Sequence, residues 1–164
     1  MEKPLWAPWR MEFIAAEKKD EGCIFCRFHA EPEEHDRKNL VVHRTPHAFV
    51  CLNKYPYTSG HVMVIPRRHV ADLSALEPEA FADLNDTLRR TAEVIRATYR
   101  PDGMNLGMNL GRAAGAGIAD HLHWHVVPRW AGDNNFMPVL ADVRVMVEHL
   151  DATWERIHAG FAKR

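Results

Sequence analysis

Between His121 and Val127 the chain alternates: His121, His123 and His125 occupy every second position, with Leu122, Trp124 and Val126 between them. Successive side chains of a strand point to opposite faces, so the three imidazoles share one face while the apolar groups enter a core. The run reads as a strand stopped by Pro128. Rings two residues apart stand about 7 Å apart along a strand and the outer pair about 13 Å, so the three do not readily ligate one metal. A neutral imidazole, with an ordinary pKa of about 6.5, is both a nucleophile and a proton carrier near neutrality. One ring can therefore take up a phosphoryl or nucleotidyl group while a neighbour holds its tautomer. Gly111, Gly115 and Gly117, just upstream, allow backbone N–H groups to converge on phosphate oxygens.

The segments around this strand supply the rest of an α+β domain. Leu40 to His43, Ala48 to Leu52 and His61 to Ile65 are short β-favouring runs separated by Thr45-Pro46 and by the turn-rich stretch Asn53 to Gly60, and they read as adjacent antiparallel strands. From residue 78 to 99 the period changes: Phe81, Leu84, Leu88, Ala92, Ile95 and Tyr99 recur at three- or four-residue steps. Pro78 suits a first helical turn, and Arg100-Pro101-Asp102-Gly103 ends the helix, a rod of roughly 33 Å that can cover a sheet. Gly103 to Leu110 reads as a further strand, and Leu150, Trp154, Ile157 and Phe161 mark a C-terminal helix. The polar stretch 29–39 reads as a surface loop, and the apolar groups of 1–21, among them Leu5, Trp6, Trp9 and Phe13, read as an arm that packs on the body or on a partner subunit.

The 164 residues fit one domain, with 1–21 as arm, 22–131 as core and 132–164 as C-terminal extension. Lys and Arg (21) balance Asp and Glu (22), so long-range attraction to nucleic acid or to an anionic membrane is not the dominant physics. The N-terminus lacks a signal-peptide core, and a cytoplasmic protein is expected. Three cysteines make no paired disulfide framework; Cys51, in an apolar run, is expected to be a buried free thiol. Cys23-Ile-Phe-Cys26 has a spacing from which both sulfurs can reach one zinc, which then needs two histidines. The same pair could equally be a redox motif or two inert thiols.

His121-Leu-His-Trp-His-Val-Val127 resembles the signature of the histidine triad (HIT) family, and Gly60-His-Val-Met-Val-Ile-Pro-Arg-Arg-His69 resembles that family's upstream strand. The resemblance covers roughly 22–131. It implies that His123 is the nucleophile that forms a covalent nucleotidyl intermediate, resolved by water, phosphate or another acceptor. It also implies that His125 assists at the phosphate or leaving oxygen, and that His61 supports the nucleophile's orientation. Asn53 matches a ribose-binding position, and Asn109 with the Gly115 to Gly117 turn would hold phosphate oxygens. Many members place Ser or Thr after the glycines, where this chain has Ile118-Ala119-Asp120. Members that begin with Cys-x-x-Cys use its thiolates with two histidines to hold a structural zinc, and the matching positions are Cys23, Cys26, His69 and His121. Such a zinc would steady the strand that carries His123, with an apparent free energy of about 10 to 16 kcal/mol.

Leu5-Trp-Ala-Pro-Trp-Arg10 and Trp130-Ala-Gly-Asp-Asn-Asn-Phe136 are similar to a subgroup that includes enzymes splitting diadenosine tetraphosphate, some by phosphorolysis. Trp130 is a candidate to stack on a base, or else simple packing. Arg112 and Arg129 are candidates to steer phosphate, or else solvated charges. The expected activity is hydrolysis or phosphorolysis of a dinucleoside polyphosphate. A nucleoside phosphoramidate hydrolase and a non-catalytic nucleotide-binding regulatory protein are the alternatives. The resemblance further implies a homodimer whose sheets join through the long helix and an edge strand, in a fold of about five antiparallel strands.

Overall fold

The computed structural model describes residues 22–133 and 148–163. The arm, with its Leu5 to Arg10 motif, and residues 134–147, which include Phe136, lie outside the described residues. In chain order the elements are α1 (Ile24–Ala30), β1 (Val41–Arg44), β2 (Ala48–Leu52), β3 (Val62–Pro66), α2 (Pro78–Tyr99), β4 (Gly103–Met108), β5 (Trp124–Arg129) and α3 (Leu150–Ala162). Five antiparallel strands form one sheet in the order β1-β2-β3-β5-β4.

The alternation of side chains divides this sheet into two faces. Val42, Val50, Val62, Val64 and Val126 form one core with Leu84 and Ile95 of α2 and Ile157 and Phe161 of α3. Val41, Phe49, Cys51 and Ile65 form a second, smaller core on the opposite face with Phe25 of α1. Cys51 is buried and unpaired, as its apolar run implies. Helix α2 begins with Pro78 and ends at Arg100, which takes the left-handed conformation at φ 47°. Its buried stripe is Ala80, Leu84, Thr87, Thr91, Val94 and Ile95, whereas Phe81 is 43% exposed. Thr87 and Thr91 are both buried, and the hydroxyl of Thr91 donates to the Thr87 carbonyl at 2.7 Å, which leaves its methyl for packing.

The first and third strands lie one residue later than the sequence reading and the fourth ends at Met108 rather than Leu110, while the histidine strand differs at both ends. The strand of histidines starts at Trp124, where pairing with Val64 and Met108 ends; His121 and His123 lie in the approach to it, with the Leu122 amide bonded to the Val70 carbonyl at 2.8 Å. At the other end β5 runs through Pro128 to Arg129. Pairing with β3 stops at Val126, so the proline's missing donor falls where that ladder is already finished, while β4 continues beside it.

The stretch 29–39 is also more than surface. It turns through a short 3-10 segment at Glu33–His35, and Arg44 of β1 reaches back to it, pairing with Asp36 and donating to the carbonyls of Phe28 at 2.9 Å and His29 at 3.1 Å. This clamp ties α1 to the sheet. Among the described residues, no helix is long and apolar enough to cross a membrane.

Candidate functional site

The histidine face of the sheet is the face covered by α1. His125 pairs with Met63 of β3 and with Gly107 of β4, and its neighbours Trp124 and Val126 turn to the opposite core. His123 is 5% exposed, and its Nδ1 lies 2.9 Å from the backbone carbonyl of His121. A carbonyl only accepts, so Nδ1 carries the proton and Nε2 carries the lone pair. Burial lowers the basicity of this ring below the ordinary histidine value, which keeps it neutral and nucleophilic near pH 7.

A second chain of hydrogen bonds sets the other tautomers. The backbone N–H of Tyr57 donates to Nδ1 of His61 at 3.1 Å. With Nδ1 engaged as an acceptor, His61, 1% exposed, bears its proton on Nε2, which donates to Nδ1 of His125 at 3.0 Å. His125 in turn carries its proton on Nε2. The site thus pairs a ring whose Nε2 offers a lone pair with a ring whose Nε2–H is a hydrogen-bond donor, their centroids 5.0 Å apart. The hydrogen bond from His61 goes to His125, whereas the sequence reading assigned its support to His123; the nucleophile candidate is oriented by its own backbone neighbour instead.

The glycine-rich turn is less open than its composition suggests. Arg112–Ala114 form a 3-10 turn, and the Gly115 amide, at φ 90°, already donates to the Arg112 carbonyl at 3.0 Å. Gly115 thus shapes the turn with a committed N–H; Gly117 and Asn109 stay as candidate phosphate contacts. Asn109 lines a cleft of about 310 Å³ together with Tyr57, Asn105, Gly107 and His125. Asn53 uses its amide oxygen to accept from the Tyr55 amide at 2.9 Å. Trp130 is half-buried and does not line this cleft. Arg129 is held by Asp133 at 2.5 Å, a pairing that draws the Asp133 carboxyl down to about 2, and so is not a loose phosphate-steering charge. Arg112 is exposed in the 3-10 turn.

Behind His123 lies a cluster of four donors. Cys23 precedes α1, Cys26 sits in its first turn, and their sulfurs meet Nδ1 of His69 and of His121, all four atoms within 4.8 Å of one another. Cys23 Sγ lies 3.3 Å from His121 Nδ1, Cys26 Sγ lies 3.2 Å from His69 Nδ1, and the two Nδ1 atoms are 3.2 Å apart. A tetrahedral zinc with bonds of about 2.3 Å to sulfur and 2.0 Å to nitrogen needs donor separations of about 3.3 to 3.8 Å, so the set fits. His121 Nε2 donates to the Pro66 carbonyl at 2.8 Å, which leaves Nδ1 as the ligating lone pair. Burial carries the basicity of His121 down to about 4, only partly offset by that hydrogen bond, so this ring is neutral and ready to ligate. Burial and the adjacent Cys23 push the Cys26 thiol up to about 11, a cost that a dication between the sulfurs would remove.

With this geometry in place, comparison with known proteins decides the family: the HIT domain matches residues 34–132. The chain belongs to the HIT family. Over 165 aligned residues it is 37% identical to the AP-4-A phosphorylase of Mycobacterium tuberculosis strain H37Rv, covering 98% of this chain and 85% of that protein. Among solved structures, a Zn-bound histidine triad family protein from Mycobacterium smegmatis superposes with a TM-score of 0.67 at 28% identity, covering 87% of this chain and 94% of the other. A HIT family member from Bacillus subtilis gives 0.61 at 27% identity, over 88% and 97% of the two chains.

Two contributors to this HIT site escape a reading of the triad alone. Phe25, between the cysteines and 2% exposed, packs against His121 at 5.4 Å and His123 at 5.3 Å between ring centroids. Tyr57 places its ring 4.7 Å from His61 and 6.2 Å from His125. For the cleft a signal exists in the sequence: Asn105, Gly107 and Asn109 alternate, as residues facing His125 must.

Proposed function

We propose that this protein transfers a nucleotidyl group from a dinucleoside polyphosphate, diadenosine tetraphosphate foremost, through a covalent intermediate on His123. The observation that carries the reading is the opposed pair of tautomers, a lone pair on His123 Nε2 beside a proton on His125 Nε2. In the first step Nε2 of His123 forms an N–P bond to the α-phosphorus while the P–O bond to the departing phosphate breaks. The oxygen leaves as a phosphate anion that accepts a hydrogen bond from His125 Nε2–H, and His61 Nε2–H holds the imidazole from behind. In the second step an anionic oxygen of phosphate, or water that gives up its proton to solvent, attacks phosphorus, the N–P bond breaks, and the electron pair returns to His123 Nε2. The 37% identical mycobacterial protein, named for AP-4-A phosphorolysis, favours phosphate as acceptor.

Asn109 and Gly117 are assigned to phosphate oxygens, Asn53 to a ribose and Trp130 to a base. Cys23, Cys26, His69 and His121 are assigned to a structural zinc, which when bound would tie α1 to the strand approach without entering the reaction. The unpaired thiols suit a reducing, cytoplasmic setting. Incubation with diadenosine tetraphosphate, with and without phosphate, tests the reading by its products: ADP plus ATP marks phosphorolysis and AMP plus ATP marks hydrolysis. Absence of any turnover would leave a nucleotide-binding protein and remove the catalytic reading.

A further inference from the structure

The cleft beside His125 has a floor and walls that bond-making at His123 does not use. Its floor is Gly107, directly opposite His125 in the β4–β5 pairing; a Cβ built there meets no atom within 4 Å, so the imidazole looks onto open space. Asn105 lies two residues earlier on the same face. Its amide oxygen accepts from Arg129 at 3.0 Å, and Arg129 is anchored in turn on Asp133, so the amide nitrogen is the polar group Asn105 has left to offer. Tyr57 forms the facing wall. Its ring rests against His61 and the residue is 39% exposed.

The position of the cleft selects its occupant. It includes His125 and extends along β5 to Val127, away from His123. A group retained on His123 therefore does not fill it; a group departing past the His125 proton does. Its volume of about 310 Å³ is enough for a small-molecule fragment. Amide donors suit phosphate oxygens, and an aromatic face suits any nucleobase.

We infer that this cleft is the subsite for the leaving nucleotide, with the departing phosphates against the amides of Asn105 and Asn109 and the departing base on Tyr57. The inference rests on nucleotidyl transfer at His123. It is tested by comparing diadenosine tetraphosphate with adenosine 5′-phosphoramidate, which delivers the same nucleotide but releases only ammonia. Val at position 107 enters open space on an extended backbone, so Gly107→Val retains the fold while filling the cleft. The ratio of kcat/KM for the dinucleotide to that for the phosphoramidate is expected to fall at least tenfold in Gly107→Val and in Tyr57→Ala. Tyr57→Phe should keep the wild-type ratio. Should Gly107→Val fail to fold, the two Tyr57 variants decide alone. An unchanged ratio in the folded cleft variants overturns the assignment. Wild-type protein that cleaves the phosphoramidate and not the dinucleotide also overturns it, with the chemistry at His123 intact. Wild-type protein that cleaves neither removes both readings.

Discussion

One hydrogen bond, from Nδ1 of His123 to the carbonyl two residues back, gives the ring a basic end and aims it outward. His123→Ala removes that end, together with the ring's contact to Phe25, and leaves the residues that line the cleft in place. Steady-state turnover should fall by roughly 10⁴-fold or more, as for other covalent nucleophiles, while calorimetric titration still detects nucleotide binding. Turnover within tenfold of wild type would take His123 out of the chemistry. The alternation at 121–127 makes the shared face of the histidines legible in the sequence, because strand geometry alone separates them from Leu122, Trp124 and Val126. Their tautomers are not legible there. Those depend on the Tyr57 amide, the His121 carbonyl and the Pro66 carbonyl, backbone groups placed by turns and strand ends that no residue type announces.

Among the elements, α1 shows how a short helix of 7 residues is fixed to a sheet by its ends. At its start, Cys23 and Cys26 meet His69 and His121, so metal analysis should find one zinc per chain. Replacing both cysteines by serine should abolish zinc and lower the melting temperature by at least about 5 °C. Full thermal stability without metal would exclude a structural ion. Beyond its other end, Arg44 and Asp36 form a pair with side chains only 9% and 18% exposed. Arg44→Met leaves that carboxylate and the carbonyls of Phe28, His29 and Glu31 without this donor and should cost about 3 kcal/mol in urea unfolding; a loss under about 0.5 kcal/mol would place the pair among ordinary surface bridges. The helical period of α2 reads through to the structure, but the stripe is turned so that Thr87 and Thr91 are buried and Phe81 is not. Helical spacing identifies a face, and which face wins depends on the sheet beneath it. Pro128 illustrates the same limit, since whether a proline ends a strand depends on a partner strand that the local sequence does not reveal.

The whole molecule is a sheet with a large core under α2 and α3 and a reactive face under α1. At the edge of the sheet, β4 pairs only with β5 among the described residues, and Leu106 and Leu110 nearby are 43% and 46% exposed. The homodimer that the family resemblance implies, joined through α2 and an edge strand, is our proposal for the assembly, and sedimentation should give twice the chain mass of 18.8 kDa; a single-chain mass would rule the dimer out. The two faces come together in one question, whether substrate phosphorus bonds to the ring that the sheet and α1 hold between them. Rapid quench of the protein with diadenosine tetraphosphate in the absence of phosphate, followed by peptide mass spectrometry, answers it. A nucleotidyl group on the peptide carrying His123, lost in His123→Ala, is the expected finding. An active protein that yields no such adduct at any quench time, or carries it on another residue, would mean that the reaction does not pass through this histidine.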